Sequence, residues 1–126
     1  MNIESRIAQL KSGKRDIKTN CVGTALFIVG AIPIDSYISP DQTLDYYLSP
    51  IILENPEIGS VVLFSNTNGF LIHVGVITNL DPLLMIHRWR VDGRVTRDYP
   101  IKNYQEIYRR KNQIIIEYKL PRFSCT

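Results

Sequence analysis

Asn20-Cys21-Val22-Gly23-Thr24-Ala25-Leu26-Phe27-Ile28-Val29-Gly30 sets a cysteine at the point where an apolar helix begins. Thr19 or Asn20 can serve as N-cap, and Val22, Ala25, Leu26 and Val29 follow at the spacing of one buried helix face. Gly30 and Pro33 end the helix. A thiol in the first turn feels the positive end of the helix dipole and the unpaired N–H groups there. Both favour the thiolate, the form that attacks carbon. Beside so apolar a run, the same cysteine also reads as a small core residue. The remaining chemistry of the chain has to separate the two readings.

Upstream, Ile3, Ile7 and Leu10 space a first amphipathic helix with a narrow apolar face, ending near Ser12 and Gly13. Lys11, Lys14, Arg15 and Lys18 follow as a solvated basic surface, with the mouth of a cleft as the alternative use. Downstream, Asp41 or Thr43 caps a short helix whose Leu44, Tyr47 and Leu48 face the core, and Pro50 closes it. From Pro56 the apolar period becomes two. Gly59 to Ser65 reads as a strand, Asn66 to Gly69 as a turn, and Phe70 to Thr78 as a second strand. Asn79-Leu80-Asp81-Pro82 breaks that strand, Leu83 to Trp89 makes a third, and Gly93 to Tyr99 a fourth after the Asp92-Gly93 turn. Pro100 to Lys111 is a helical or irregular connector, and Gln113 to Lys119 is a last strand apolar enough to be central or well covered. Helices first and an antiparallel meander second predict an α+β domain, with N-terminal helices packed on an antiparallel sheet.

The 126 residues read as one domain, long enough to bury a core without staples. An apolar fraction of 44% and a charged fraction of 21% belong to an ordinary globular chain. The net charge of +3 is too small to argue for nucleic acid and mildly favours anionic partners. Met1 to Arg6 contains no apolar signal region and no run approaches bilayer length, so a cytoplasmic location is the default expectation, with export by a specialised route as the alternative. Cys21 and Cys125 read as free thiols.

The only two histidines in the chain fall on the second and third strands. If those strands pair about a turn near Leu80 and Asp81, His73 and His87 stand directly opposite each other on one face. Their Cβ atoms are then about 4.5 to 5.5 Å apart, within reach of an imidazole–imidazole hydrogen bond. A one-residue slip would separate them. A cysteine nucleophile needs a base in hydrogen-bond reach, and that base needs a third group to fix its tautomer. These residues supply the set: Cys21 as nucleophile, His73 as base and His87 as the group that orients it. The Cys21 N–H at the helix terminus offers one oxyanion donor.

At these residues the chain resembles the NlpC-type cysteine peptidases, a papain-like family whose members mostly cleave bacterial cell-wall peptides. Asn20-Cys21-Val22-Gly23 is similar to the family's Asp-Cys-Ser-Gly nucleophile motif. Pro56 to Phe64 resembles its Pro-Gly-Asp-Leu-Val-Phe-Phe strand, and His73-Val74-Gly75-Val76-Ile77 its His-Val-Gly-Ile-Tyr strand bearing the base. Ile86-His87 takes the place of the family's third polar residue. The resemblance spans Thr19 to Trp89 and implies a papain-like catalytic domain over residues 1–126. It further implies a Cys-His-His triad, a peptide or small-amide substrate of cell-wall type, and no cofactor. Asn20, Val22 and Ser60 stand where the family carries aspartate, serine and aspartate, and no tyrosine precedes Cys21. A recycling enzyme, an injected wall-degrading effector and an amidase on another amide all fit such a chain.

Arg88 and Arg90 alternate away from the His87 face, which predicts a solvated structural role rather than a carboxylate clamp. Trp89 shares the His87 face and reads as core, with shielding of the site as the alternative, and Tyr99, Tyr104 and Tyr108 read as packing residues. Two other classes of function remain. One is a zinc module using Cys21, His73 and His87 with Cys125 or Asp92, which the lack of Cys-x-x-Cys or His-x-x-x-His spacing disfavours. The other is a catalytically idle papain-like domain that binds a peptide or a partner. Acyl transfer is the alternative outcome within the same fold, since a thioester intermediate can pass its acyl group to an amine or alcohol instead of water.

Overall fold

The computed structural model describes residues 2–10, 19–40, 42–90, 93–108 and 113–122. Lys11, Lys14, Arg15, Lys18, Asp41, Asp92 and Cys125, singled out above, lie outside them, as do the side chains of Thr43 and Tyr108. The elements run α1 (Ile3–Gln9), α2 (Cys21–Ile28), α3 (Gln42–Tyr47), β1 (Val61–Asn66), β2 (Leu71–Leu80), β3 (Leu83–Arg88), β4 (Val95–Pro100), α4 (Ile101–Tyr108) and β5 (Ile114–Lys119). This is the expected α+β arrangement, with a five-stranded sheet in the order β4-β3-β2-β1-β5. Every pairing in it is antiparallel. None of the helices formed by the described residues is long and apolar enough to cross a membrane.

The sheet is covered on both faces, which explains the unbroken apolar run of β1. Val61 and Leu63 pack with Val74, Val76 and Ile86 against the buried residues of α2. Val62 and Phe64 turn the other way, to Ile77, Met85 and the α4 residues Ile101 and Tyr104. A strand buried on both sides loses its polar alternation. The final strand departs from expectation: β5 pairs only with β1 and forms an edge, with Ile115 exposed. Its apolar run reflects half-burial over one neighbour rather than a central position.

Helix α2 is fixed at both ends. The Asn20 carboxamide oxygen accepts from the Gly23 N–H at 2.8 Å, the N-cap that the sequence offers. At the other end Gly30 adopts φ 80°, and the N–H groups of Gly30 and Ala31 return to the carbonyls of Phe27 and Leu26. That pair of bonds is a Schellman termination, for which glycine is the favoured residue. Helix α1 stops at Gln9, earlier than the Ser12-Gly13 signal suggests, because Leu10 already turns extended. It is tied down by an unanticipated contact: buried Arg6 donates to the carbonyls of Phe27 at 3.1 Å and Ile32 at 2.9 Å. A cation at the carboxyl end of α2 is favoured by the helix dipole.

The chain after α2 folds back over the start of the helix. Asn20 accepts from the Ile38 N–H and donates from Nδ2 to the Ile38 carbonyl at 2.8 Å. Gly23 makes the close approach possible, since a Cβ on it would land on the carbonyl oxygen of Ser36. In an ordinary helix interior Gly→Ala stabilises by roughly 1 kcal/mol. Here Gly23→Ala should instead destabilise by about 2 kcal/mol or more, because backbone has to move. Urea denaturation of the two proteins checks the sign, and a more stable Gly23→Ala would contradict the close packing of Ser36 on α2.

Candidate active site

The helix α2 N-terminus, the start of β2 and the end of β3 meet at one end of the sheet. Between them lies a cavity of about 310 Å³ whose walls include Cys21, His73, Tyr37, Arg88, Trp89 and Arg90. Cys21 is a buried free thiol. Burial pushes it above the ordinary thiol range. The Arg90 charge and the N–H groups of Val74, Val22 and Cys21 pull the other way without reversing the shift. The helix terminus therefore does act on the sulfur as expected from its position, but the expected net lowering is overturned by desolvation.

The two histidines are joined. His73 Nε2 and His87 Nδ1 lie 2.7 Å apart, with the rings edge to face at 88°. They are diagonal rather than directly opposed, correcting the expected register. Val76 faces Ile86 and Ile77 faces Met85, which carries His87 to the side of Gly75 instead of His73. A Cβ on Gly75 would stand 3.4 Å from that of His87 and 3.2 Å from the Ile86 carbonyl oxygen. The displacement is two residues, so face parity survives and the imidazoles still meet. Its origin is a turn centred on Asp81 and Pro82 together with an irregularity between Ile77 and Asn79.

Aromatic rings seal this pair. Tyr104 stacks on His73 with centroids 4.7 Å apart, while Trp89 and Tyr99 approach His87 at 4.4 Å and 4.9 Å. Both imidazoles are 1% exposed. Burial, then the neighbouring His87 and Arg90 charges, push His73 down to about 3, and burial alone pushes His87 down to about 4. Both rings are accordingly neutral at pH 7. Two of their nitrogens, His73 Nδ1 and His87 Nε2, have no hydrogen-bond partner among the described residues. The thiol of Cys21 thus shares the cavity with His73 without bonding to it.

Arg88 is the largest departure from the sequence reading. It does point away from His87, but it is buried rather than solvated, with its Nη2 2.9 Å from Asp35 Oδ2. Its Nε donates to Thr24 Oγ1 at 2.7 Å and its Nη1 to the Gly93 carbonyl. Asp35 also accepts from Thr19 Oγ1 and from Thr24 Oγ1. Nothing in the local pattern around Asp35 signals that role, since its partners lie on α2 and β3. Arg90 is exposed and lines the cavity, with Nη1 2.8 Å from the Ile72 carbonyl. Tyr37 and Pro40, also unmarked in the sequence, line the same cavity. Ser60 lies outside the cavity lining and donates to the Glu57 carbonyl at 2.6 Å.

Among the described residues no group of three or more His, Cys, Asp or Glu side chains is gathered to hold a metal. The direct His73–His87 bond also engages one nitrogen of each ring. No protein-family model, curated protein or solved structure matches the chain.

Neutral buried histidines make stability depend on pH. Their folded pKa values lie below the unfolded value, so the unfolded chain binds more protons as pH falls from about 6.5 toward 3. Stability is then complete above pH 7 and declines on acidification, each histidine adding up to roughly 1 kcal/mol per pH unit. Urea midpoints measured from pH 7.5 to 5 should fall, and His87→Gln should flatten that slope whatever it does to the midpoint at pH 7.5. Identical slopes in both proteins would show that His87 is not held neutral by the fold.

Proposed function

We propose that the chain is a cysteine amidase or endopeptidase of papain-like type, related to the NlpC-type peptidases that its motifs resemble. The observation that carries this reading is the opening of Cys21 and His73 onto one cavity, with the far nitrogen of His73 held by His87 at 2.7 Å. In the productive tautomer His73 Nε2–H donates to His87 Nδ1, which leaves His73 Nδ1 as a free acceptor. His87 then keeps its remaining proton on Nε2, amid the faces and edges of Trp89 and Tyr99. Weak N–H to ring contacts are the support available to it there.

His73 Nδ1 takes the thiol proton as the sulfur attacks the carbonyl carbon of a bound amide. The tetrahedral oxyanion is met by N–H groups at the start of α2. His73 returns the proton to the departing nitrogen, the C–N bond breaks, and an acyl thioester remains on Cys21. Water, deprotonated by His73, attacks the thioester carbon and releases a carboxylate while the thiol recovers its proton. Since both groups rest neutral, the proton moves during attack rather than beforehand. Peptides of cell-wall type are the substrate class suggested by the resemblance, and an amine in place of water would give acyl transfer through the same intermediate.

Two observations favour a second reading, an idle papain-like domain that binds a peptide without cleaving it: the raised thiol and the unbonded His73 Nδ1. Turnover separates the two. Purified protein incubated with cell-wall peptides and a panel of peptide amides, with products read by mass spectrometry, should show hydrolysis that Cys21→Ala abolishes by at least about 10³-fold at unchanged thermal stability. His73→Ala should cost a similar factor. His87→Ala should cost about 10-fold to 100-fold, partly recovered in His87→Asn, as expected of a group that orients the base. Full turnover by Cys21→Ala would exclude the nucleophile assignment, and tight binding without any cleavage would favour the idle domain.

A further inference from the structure

The cavity beside Cys21 is cationic. Its described walls hold two arginines and no acidic side chain. Arg88 is fully engaged, by Asp35, Thr24 and Gly93. Arg90 is not: one guanidinium nitrogen is bonded to the Ile72 carbonyl, and among the described residues no carboxylate pairs with it. That single bond fixes the fork next to the residue preceding His73. The side chain lines the cavity onto which Cys21 and His73 open, and its charge reaches both reacting groups.

The Asn20 carboxamide, which also lines the cavity, is already committed. Asn20 spends its oxygen on the N–H groups of Gly23 and Ile38 and its amide on the Ile38 carbonyl. An aspartate there would lose the last bond and set a carboxylate against a carbonyl oxygen. The polarity of the site is therefore set by arginine, whose planar fork matches a carboxylate with two parallel bonds.

We infer that Arg90 is a specificity-determining residue that binds a substrate carboxylate within one residue of the scissile carbonyl. This rests on Cys21 being the nucleophile of the proposed amidase and narrows its substrates to acidic peptides or amides.

Iodoacetate and iodoacetamide place the same carbon on a thiol and differ in carrying a carboxylate or a neutral amide. The ratio of their alkylation rates at Cys21 cancels the thiolate fraction, so it reports recognition of the carboxylate and not thiol pKa. Rates would be mapped to the Cys21 peptide at one pH in the folded protein, in the urea-unfolded chain, and in Arg90→Gln and Arg90→Lys. The folded wild type should show a ratio about tenfold above that of the unfolded chain, the order expected for one charge-assisted contact. Arg90→Gln should bring it within about twofold of the unfolded value, with Arg90→Lys between, since it keeps the charge and loses the fork. A folded ratio equal to the unfolded one, or one unchanged in Arg90→Gln, overturns the inference. The ratio is independent of turnover. Full hydrolysis by Cys21→Ala would remove the nucleophile and leave the anion site standing, whereas an inert Cys21→Ala with an unselective ratio would remove only the carboxylate preference.

Discussion

The ion pair between Asp35 and Arg88 is the constraint on which the site's shape depends. Asp35 sits beyond the end of α2 and Arg88 at the end of β3, and Thr24 and Thr19 bond into the same carboxylate from the start of the helix. The turn beyond β3 is included through the Gly93 carbonyl. A buried guanidinium is tolerable only where its charge and donors are met, and removing one partner of such a pair typically costs about 3 to 5 kcal/mol. Buried networks of this kind typically contribute little net stability compared with apolar packing of the same volume. What it does is hold the nucleophile's helix, the segment with Tyr37 and Pro40, and the strand with His87 in one geometry.

Asn20 performs the same task at shorter range. As a helix cap alone, aspartate or serine would serve as well. The carboxamide does more because the Ile38 backbone presents both a donor and an acceptor, and its separate oxygen and nitrogen meet the two while the oxygen also caps Gly23, where an aspartate would lack the donor. Gly23 completes the arrangement by leaving room for the Ser36 carbonyl. Residues 36–40 thus lie on the helix as an added segment of its N-terminal surface, and the cavity takes one wall from them.

Much of this was legible in the sequence, for reasons that differ between elements. The helix behind Cys21 announced itself by a cap, an apolar face and a terminating glycine, all local signals. The meander was legible from its period and from the turns at Asn66–Gly69 and Asp81-Pro82. The histidine pair survived a wrong register because side-chain direction repeats every two residues, and the turn at Asp81 and Pro82 together with the irregularity near Thr78 displaced the pairing by two. What escaped notice depended on neighbours far along the chain. Alternation gave the face on which Arg88 lies, but not that Thr24 of α2 and Asp35 of the segment after it would meet it there. The edge position of β5 followed from the return of the chain across the sheet by way of α4. The direction of the Cys21 shift required knowing how much water the fold removes, which no local pattern encodes.

The aromatic enclosure of His87 has a consequence for the bookkeeping of hydrogen ions. Trp89, Tyr99 and Tyr104 close over the ring, and its outer nitrogen meets neither solvent nor, among the described residues, a polar partner. Among the described residues no relay leads from it to the surface. Whatever the two imidazoles gain or release has to cross at the single nitrogen of His73 that is left without a partner, so the pair is a dead-ended store with one door. Buffer ions in bulk water cannot substitute for that door, and deuterium from the solvent reaches the inner ring only by way of the outer one.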